Sequence, residues 1–184
     1  MKRLWAVMAL GLVLVVSGRA KAQVAIYGMG SGGFLSSVNG PSNVFSDSFS
    51  AYGGTFGVYD NYRHFGPVKF GGDGRFFIQS SSNGNAYGNQ LRGGLGGLRL
   101  ALFSHAVPFS PYIQAEIGGV STNYGTQAQR TLTFSYQVQG GLDYTIVPHL
   151  DARFEYGAGQ IGALFPGDRQ EMQQIGLGLV VRLY

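Results

Sequence analysis

The 184-residue chain has no cysteine. Disulfide staples, thiolate chemistry and a lipid-modified N-terminal cysteine are therefore all excluded. Charge is also sparse. Asp, Glu, Lys and Arg make up 12% of residues, about half the usual share of roughly 25%. Long apolar runs are just as scarce. The clearest is Leu4–Val16, which follows a positive Met1-Lys2-Arg3 start and precedes Ala20-Lys21-Ala22. It is shorter than the roughly 20 residues a spanning helix needs, and the small-x-small triplet fits a cleavage site. Residues 1–22 are thus expected to be a cleaved signal peptide and 23–184 one mature domain. After Val16 nothing is apolar enough for a membrane helix, so a membrane location would require a closed barrel. Of the thirteen Lys and Arg, four (Lys2, Arg3, Arg19, Lys21) lie in the leader, which leaves nine basic residues against nine acidic ones. The basic pI thus belongs largely to the export signal, and no nucleic-acid partner is expected.

What the chain has in plenty is glycine, aromatics and alternation. Its 31 glycines follow no Gly-x-y period, and 14% of residues are aromatic. From Thr131 to Ile146 the sequence alternates. Thr133, Ser135, Gln137, Gln139 and Asp143 fall on one side, and Leu132, Phe134, Tyr136, Val138, Leu142, Tyr144 and Ile146 on the other. A strand turns successive side chains to opposite faces. The run exceeds the 5–6 residues usual in soluble domains and suffices for the roughly 9–11 tilted residues of a bilayer crossing.

Eight strands are predicted: Val24–Phe34, Ser50–Tyr59, Val68–Gln79, Gln90–Phe103, Tyr112–Ser121, Thr131–Ile146, Leu150–Gly159 and Met172–Tyr184. Short connections (Asp60–Pro67, Ser104–Pro111, Val147–His149) alternate with longer polar ones (Leu35–Asp47, Ser80–Asn89, Thr122–Arg130, Gln160–Glu171). All six prolines fall in connections. This asymmetry predicts an all-β fold, an eight-stranded antiparallel up-and-down transmembrane β-barrel with short periplasmic turns and longer external loops. The soluble alternative is a lipocalin-like barrel, whose interior would be crowded by Tyr52, Phe56, Phe70, Phe76, Phe134, Tyr136, Tyr144, Phe154 and Tyr156. On a lipid face these aromatics need no crowding. In the fourth strand Arg92 and Arg99 have opposite parity. Both reach the lumen only with a bulge, at Gly93-Gly94 or Gly96-Gly97.

Three segments resemble the small outer-membrane β-barrel family typified by the OmpA transmembrane domain and OmpX, a porin-like family. They are Pro111–Gly119, the hairpin from Gly140-Gly141-Leu142-Asp143-Tyr144 through Pro148-His149-Leu150 to Arg153-Phe154-Glu155-Tyr156, and the last strand. In that strand Gly178, Val181, Leu183 and the terminal Tyr184 are similar to the family's assembly signal, with Tyr in place of the usual Phe and one residue out of step with the apolar face. The resemblance implies insertion by the barrel-assembly machinery into the outer membrane of a Gram-negative cell envelope.

The best-defined polar set is Lys69, Asp73, Arg75, Glu116, Asp143, Asp151, Arg153, Glu155 and Arg182, all expected to point inward. Charges in a narrow lumen must be paired or wet. The structural reading is a charge network that fills the lumen, and the alternative is a narrow passive channel. The pairing Ile146–Leu150 would carry Asp143 opposite Arg153. No catalytic, cofactor or metal residues are assigned. His64, His105 and His149 lie at different short turns without ligand spacing. Ser104 and His105, as strand neighbours, would point apart, against a lipid-modifying enzyme. The expected partners are outer-membrane lipid and the assembly machinery. The sequence names no external ligand.

Overall fold

A computed structural model describes residues 23–37, 49–81, 89–103, 107–123, 131–162 and 170–183. Residues 1–22, expected to be a signal peptide, most of the long connections, His105 and Tyr184 lie outside them. Eight strands run β1 (Gln23–Ser37), β2 (Phe49–Phe65), β3 (Val68–Ser81), β4 (Asn89–Leu102), β5 (Phe109–Asn123), β6 (Thr131–Val147), β7 (Leu150–Ile161) and β8 (Gln170–Arg182). Each pairs antiparallel with its chain neighbours, and β1 pairs with β8 from Ala25↔Arg182 to Ser37↔Gln170, which closes the barrel. Closure leaves no edge with unpaired backbone groups, the condition for spanning lipid with strands.

Alternation dictates which side faces where. On β7, Asp151, Arg153 and Glu155 are buried inside, while Phe154 and Tyr156 are exposed outside. On β3, Lys69, Asp73, Arg75 and Gln79 are inside and Phe76 and Ile78 outside. Tyr52, Phe56, Ile117, Leu132 and Leu177 are each more than 60% exposed. An outer surface that is apolar strand after strand is a lipid-facing band.

Three expectations change at the turn end. The second strand continues to Phe65, so its connection shrinks to Gly66-Pro67. Asp60-Asn61, which read as a turn, instead sits in a β-bulge between Asp60 and Arg63, and Asn61 is buried. A bulge absorbs the extra residue and lets pairing resume. Pro111 is the third residue of β5, opposite Leu142, with its ring exposed. Near a strand's start its missing N–H costs little of the ladder. Lastly, Val147 and not Ile146 faces Leu150, because a register shift falls between Thr145 and Val147, while Asp143 does face Arg153.

The two fully described turns have different chemistry. Gly66 has φ 61° and precedes Pro67, the pattern of a type II′ turn, in which glycine takes the positive φ at no steric cost. Pro148 precedes His149, whose φ is 70°, the pattern of a type II turn with a non-glycine in the left-handed position.

The register of β4 is regular, with no bulge against either neighbour. Arg99 is therefore inside, 1% exposed, and Arg92 lies on the opposite parity, facing outward. The inward residues of β4 also include Leu91, Leu95 and Ala101. Its lumen face is mostly apolar, which is why sequence alternation did not fix it.

Candidate functional site

Eight strands enclose an interior only wide enough for side chains. Lys69, Arg75, Arg99, Arg153 and Arg182 stand there with Asp73, Glu116, Asp143, Asp151 and Glu155. The nine charges expected from sequence are all inside. Arg99 is the tenth, and it makes the cations equal the acids in number.

These charges form separate groups along the axis. Nearest the short turns, Arg182 Nη2 donates to Asp151 Oδ1 at 2.5 Å and to Thr145 Oγ1 at 3.0 Å. Lys69 Nζ donates to Gln23 Oε1 at 2.7 Å and lies 3.8 Å from the Phe103 ring centroid. A cavity of about 20 Å³ opens here among Gln23, Asn61, Lys69, Asp143, Asp151 and Arg182.

Deeper, two arginines share one acid. Arg153 Nε and Nη2 donate to the two oxygens of Asp143 at 2.7 and 2.8 Å, and Arg99 Nη2 reaches Asp143 Oδ2 at 2.9 Å. The excess positive charge sits among tyrosine rings. Arg99 Cζ is 3.6 Å from the Tyr112 centroid and 4.2 Å from that of Tyr59. Arg153 Cζ is 4.4 Å from the Tyr27 centroid. A guanidinium over an aromatic face is attracted by the ring quadrupole.

Beyond them the balance inverts, with one arginine serving three acids. Arg75 Nη2 donates to Glu155 Oε2 at 3.0 Å and Nη1 to Glu155 Oε1, while Nε donates to Glu116 Oε1 at 3.0 Å. Asp73 Oδ1 lies 3.4 Å from the same Nε. Tyr27 Oη donates to Asp73 at 2.8 Å and Tyr112 Oη to Glu155 at 2.7 Å. These ties join β1, β3, β5 and β7 across the lumen. Gln114, Gln139 and Gln137 extend the chain, Gln114 Nε2 donating to Gln139 Oε1 at 2.8 Å and Gln139 Nε2 to Gln137 Oε1 at 2.6 Å.

Toward the long loops an apolar cluster of Leu35, Phe77, Leu91, Leu95, Val120, Ile161 and Met172 enters the lumen, beside Thr55 and Gln79, which both donate to Ser31 Oγ. Sequence reading missed this cluster and the inward tyrosines. Tyr112 was legible, since it shares parity with Gln114 and Glu116. The cluster was not, because isolated apolar residues on a polar face carry no periodic signal. Room for the tyrosines comes from glycine: a Cβ on Gly57 would meet the Tyr27 ring, and one on Gly141 the Tyr112 ring.

Of the histidines, His64 is exposed on β2, and His149 Nδ1 lies 3.2 Å from the Arg182 carbonyl oxygen. Among the described residues no three His, Asp or Glu side chains gather in a metal-binding arrangement.

The closed meander and the outward apolar band together define a small eight-stranded transmembrane β-barrel. Solved structures place the chain in that class. It is similar to the Neisserial surface protein A, NspA, at 15% identity and a TM-score of 0.61, covering 88% of this chain and 99% of that one. It is similar to the outer membrane enzyme PagL at 12% identity and a TM-score of 0.51, covering 86% and 98%. Likeness to Ail, the attachment invasion locus protein of Yersinia pestis, is at 11% identity and a TM-score of 0.50, over 86% and 97%. At such identities the likeness is one of fold. No protein-family model and no curated protein matches the sequence.

Proposed function

We propose that the chain is an integral outer-membrane protein of a Gram-negative-type bacterium, exported by cleavage after residue 22 and inserted by the barrel-assembly machinery. Its role is structural or one of envelope interaction, without catalysis, and its lumen is closed to ions. The observation that carries this reading is Arg75, which reaches from β3 to carboxylates on β5 and β7. Side chains that meet across the barrel occupy the path an ion would take, and a charge held this way is hard to displace without leaving its partners unpaired. The partner of the outer surface is lipid, and exposed Phe, Tyr, Ile and Leu on all eight strands suit it.

Two measurements test the reading. In planar bilayers the purified protein is expected to give no steady conductance, and a large, stable conductance would favour a narrow passive channel. Mass spectrometry of lipid A from cells with and without the protein is expected to show no difference. A changed acylation pattern would favour a lipid-modifying enzyme, an activity the fold can host.

A further inference from the structure

The lumen changes character along its axis. We propose that the decisive permeability barrier is the apolar section near the long loops, and that the charged section is a vestibule, wet at the turn end, in which the Arg75 crossing narrows the path without sealing it. The inference rests on the closed-lumen reading and locates the closure.

The apolar section draws on six of the eight strands, and its members are between 0% and 5% exposed. Phe77 on β3 fills the space over Gly93 of β4, where a Cβ would collide with the ring and come within 2.9 Å of Val120 Cγ2 on β5. Leu35 and Met172 face each other across the β1–β8 seam. The polar side chains at this level are tied to the protein itself: Thr55 Oγ1 and Gln79 Nε2 donate to Ser31 Oγ at 2.8 and 2.9 Å, and Ser135 Oγ donates to the Gln160 carbonyl at 3.0 Å. The apolar side chains packed between them offer water no partner, and apolar constrictions stop ions by dewetting.

The turn end is built differently. A polar void can hold water once it exceeds about 10–15 Å³, and the cavity there is about 20 Å³. Lys69 makes no ion pair among the described residues; Gln23 and the Phe103 ring hold its ammonium. The Arg182 side chain of the Arg182–Asp151 pair is 17% exposed, whereas the charged side chains of the deeper groups are at most 6% exposed. Wetness therefore falls from the turns inward and ends at the apolar section.

The chain's lack of cysteine makes thiol probing clean. Ala101→Cys places a thiol at the vestibule, and Val120→Cys places one in the apolar section. In lipid vesicles, a membrane-impermeant methanethiosulfonate is expected to modify the first at least about tenfold faster than the second, as thiol reaction follows access. Equal rates overturn the proposal, and this arm stands even if the next variant fails to fold. In planar bilayers, Phe77→Ser/Leu91→Ser is expected to conduct steadily, while Arg75→Gln/Glu155→Gln stays closed. Conduction by the charge variant but not by the apolar one overturns the inference and leaves the closed-lumen reading intact. Steady conduction by the unaltered protein overturns both.

Discussion

Tyr27 and Tyr112 each serve two neighbours of opposite sign. Their hydroxyls donate to Asp73 and Glu155, while their ring faces meet Arg153 and Arg99. The two charge groups are individually unbalanced, one arginine to three acids and two arginines to one acid, and the tyrosines stand between them. The imbalance gives a directional prediction. Arg75→Met leaves three buried acids without their cation and is expected to cost about 3–5 kcal/mol. Glu116→Gln keeps the Oε1 acceptor and removes one surplus negative charge, so it is expected to be neutral or stabilising. Urea unfolding in detergent micelles or vesicles checks both, and a Glu116→Gln loss as large as that of Arg75→Met would show that the acid is not in surplus. A second prediction concerns His149, at φ 70°. Asn, Asp and His tolerate this region better than most side chains, and β-branched ones do not. His149→Val is expected to cost about 1–2 kcal/mol and His149→Gly close to nothing. The same unfolding assay reads the pair, and equal effects would place the cost in the hydrogen bond to Arg182 O and not in the backbone.

Among the elements, β6 was the most legible and β4 the least. β6 alternates between polar Thr, Ser and Gln and large apolar residues, so one register holds as far as Thr145, and only the shift before Val147 breaks it. β4 puts Leu91, Leu95 and Arg99 on one face and Arg92 on the other, so polarity alone could not choose. The turn-end extension of β2 was hidden for a related reason: Asp60 and Asn61 have turn chemistry, and only pairing with β3 reveals the bulge. Where all eight strands begin to cross the bilayer can be measured on β6. Leu132, Val138 and Ile146 are exposed on its outer face near the loop end, the middle and the turn end. Arginine at Val138 is expected to cost about 2–4 kcal/mol and at either end about 0–1 kcal/mol, because the penalty peaks at the bilayer midplane. A flat profile in vesicle refolding would contradict a lipid-facing β6.

At the scale of the whole molecule, seven of the eight pairings join strands adjacent in sequence, and only β1 with β8 joins the two ends. Removing residues 170–184 would leave β1 and β7 as open edges, which lipid does not tolerate. The truncated chain is expected to lose the heat-modifiable gel migration expected of the full chain, and retention of that shift would mean the seam is dispensable. Global topology was legible because short and long connections alternate, and that signal needs no side-chain register. The distribution of wet and dry lumen was not legible, since it depends on residues from six strands meeting at one level. The seam also bears on how an unfinished barrel fares. Arg75 on β3 finds Glu155 on β7 only when the sheet has curled round, whereas Arg182 and Asp151 pair within the β7–β8 hairpin. A half-made sheet pressed into the bilayer would carry Arg75 and Glu155 apart, at a solvation cost that their own hairpins do not offset. The Arg75–Glu155 pair therefore ties the solvation of both charges to a finished ring, and a sheet still open at that point is expected to insert less readily.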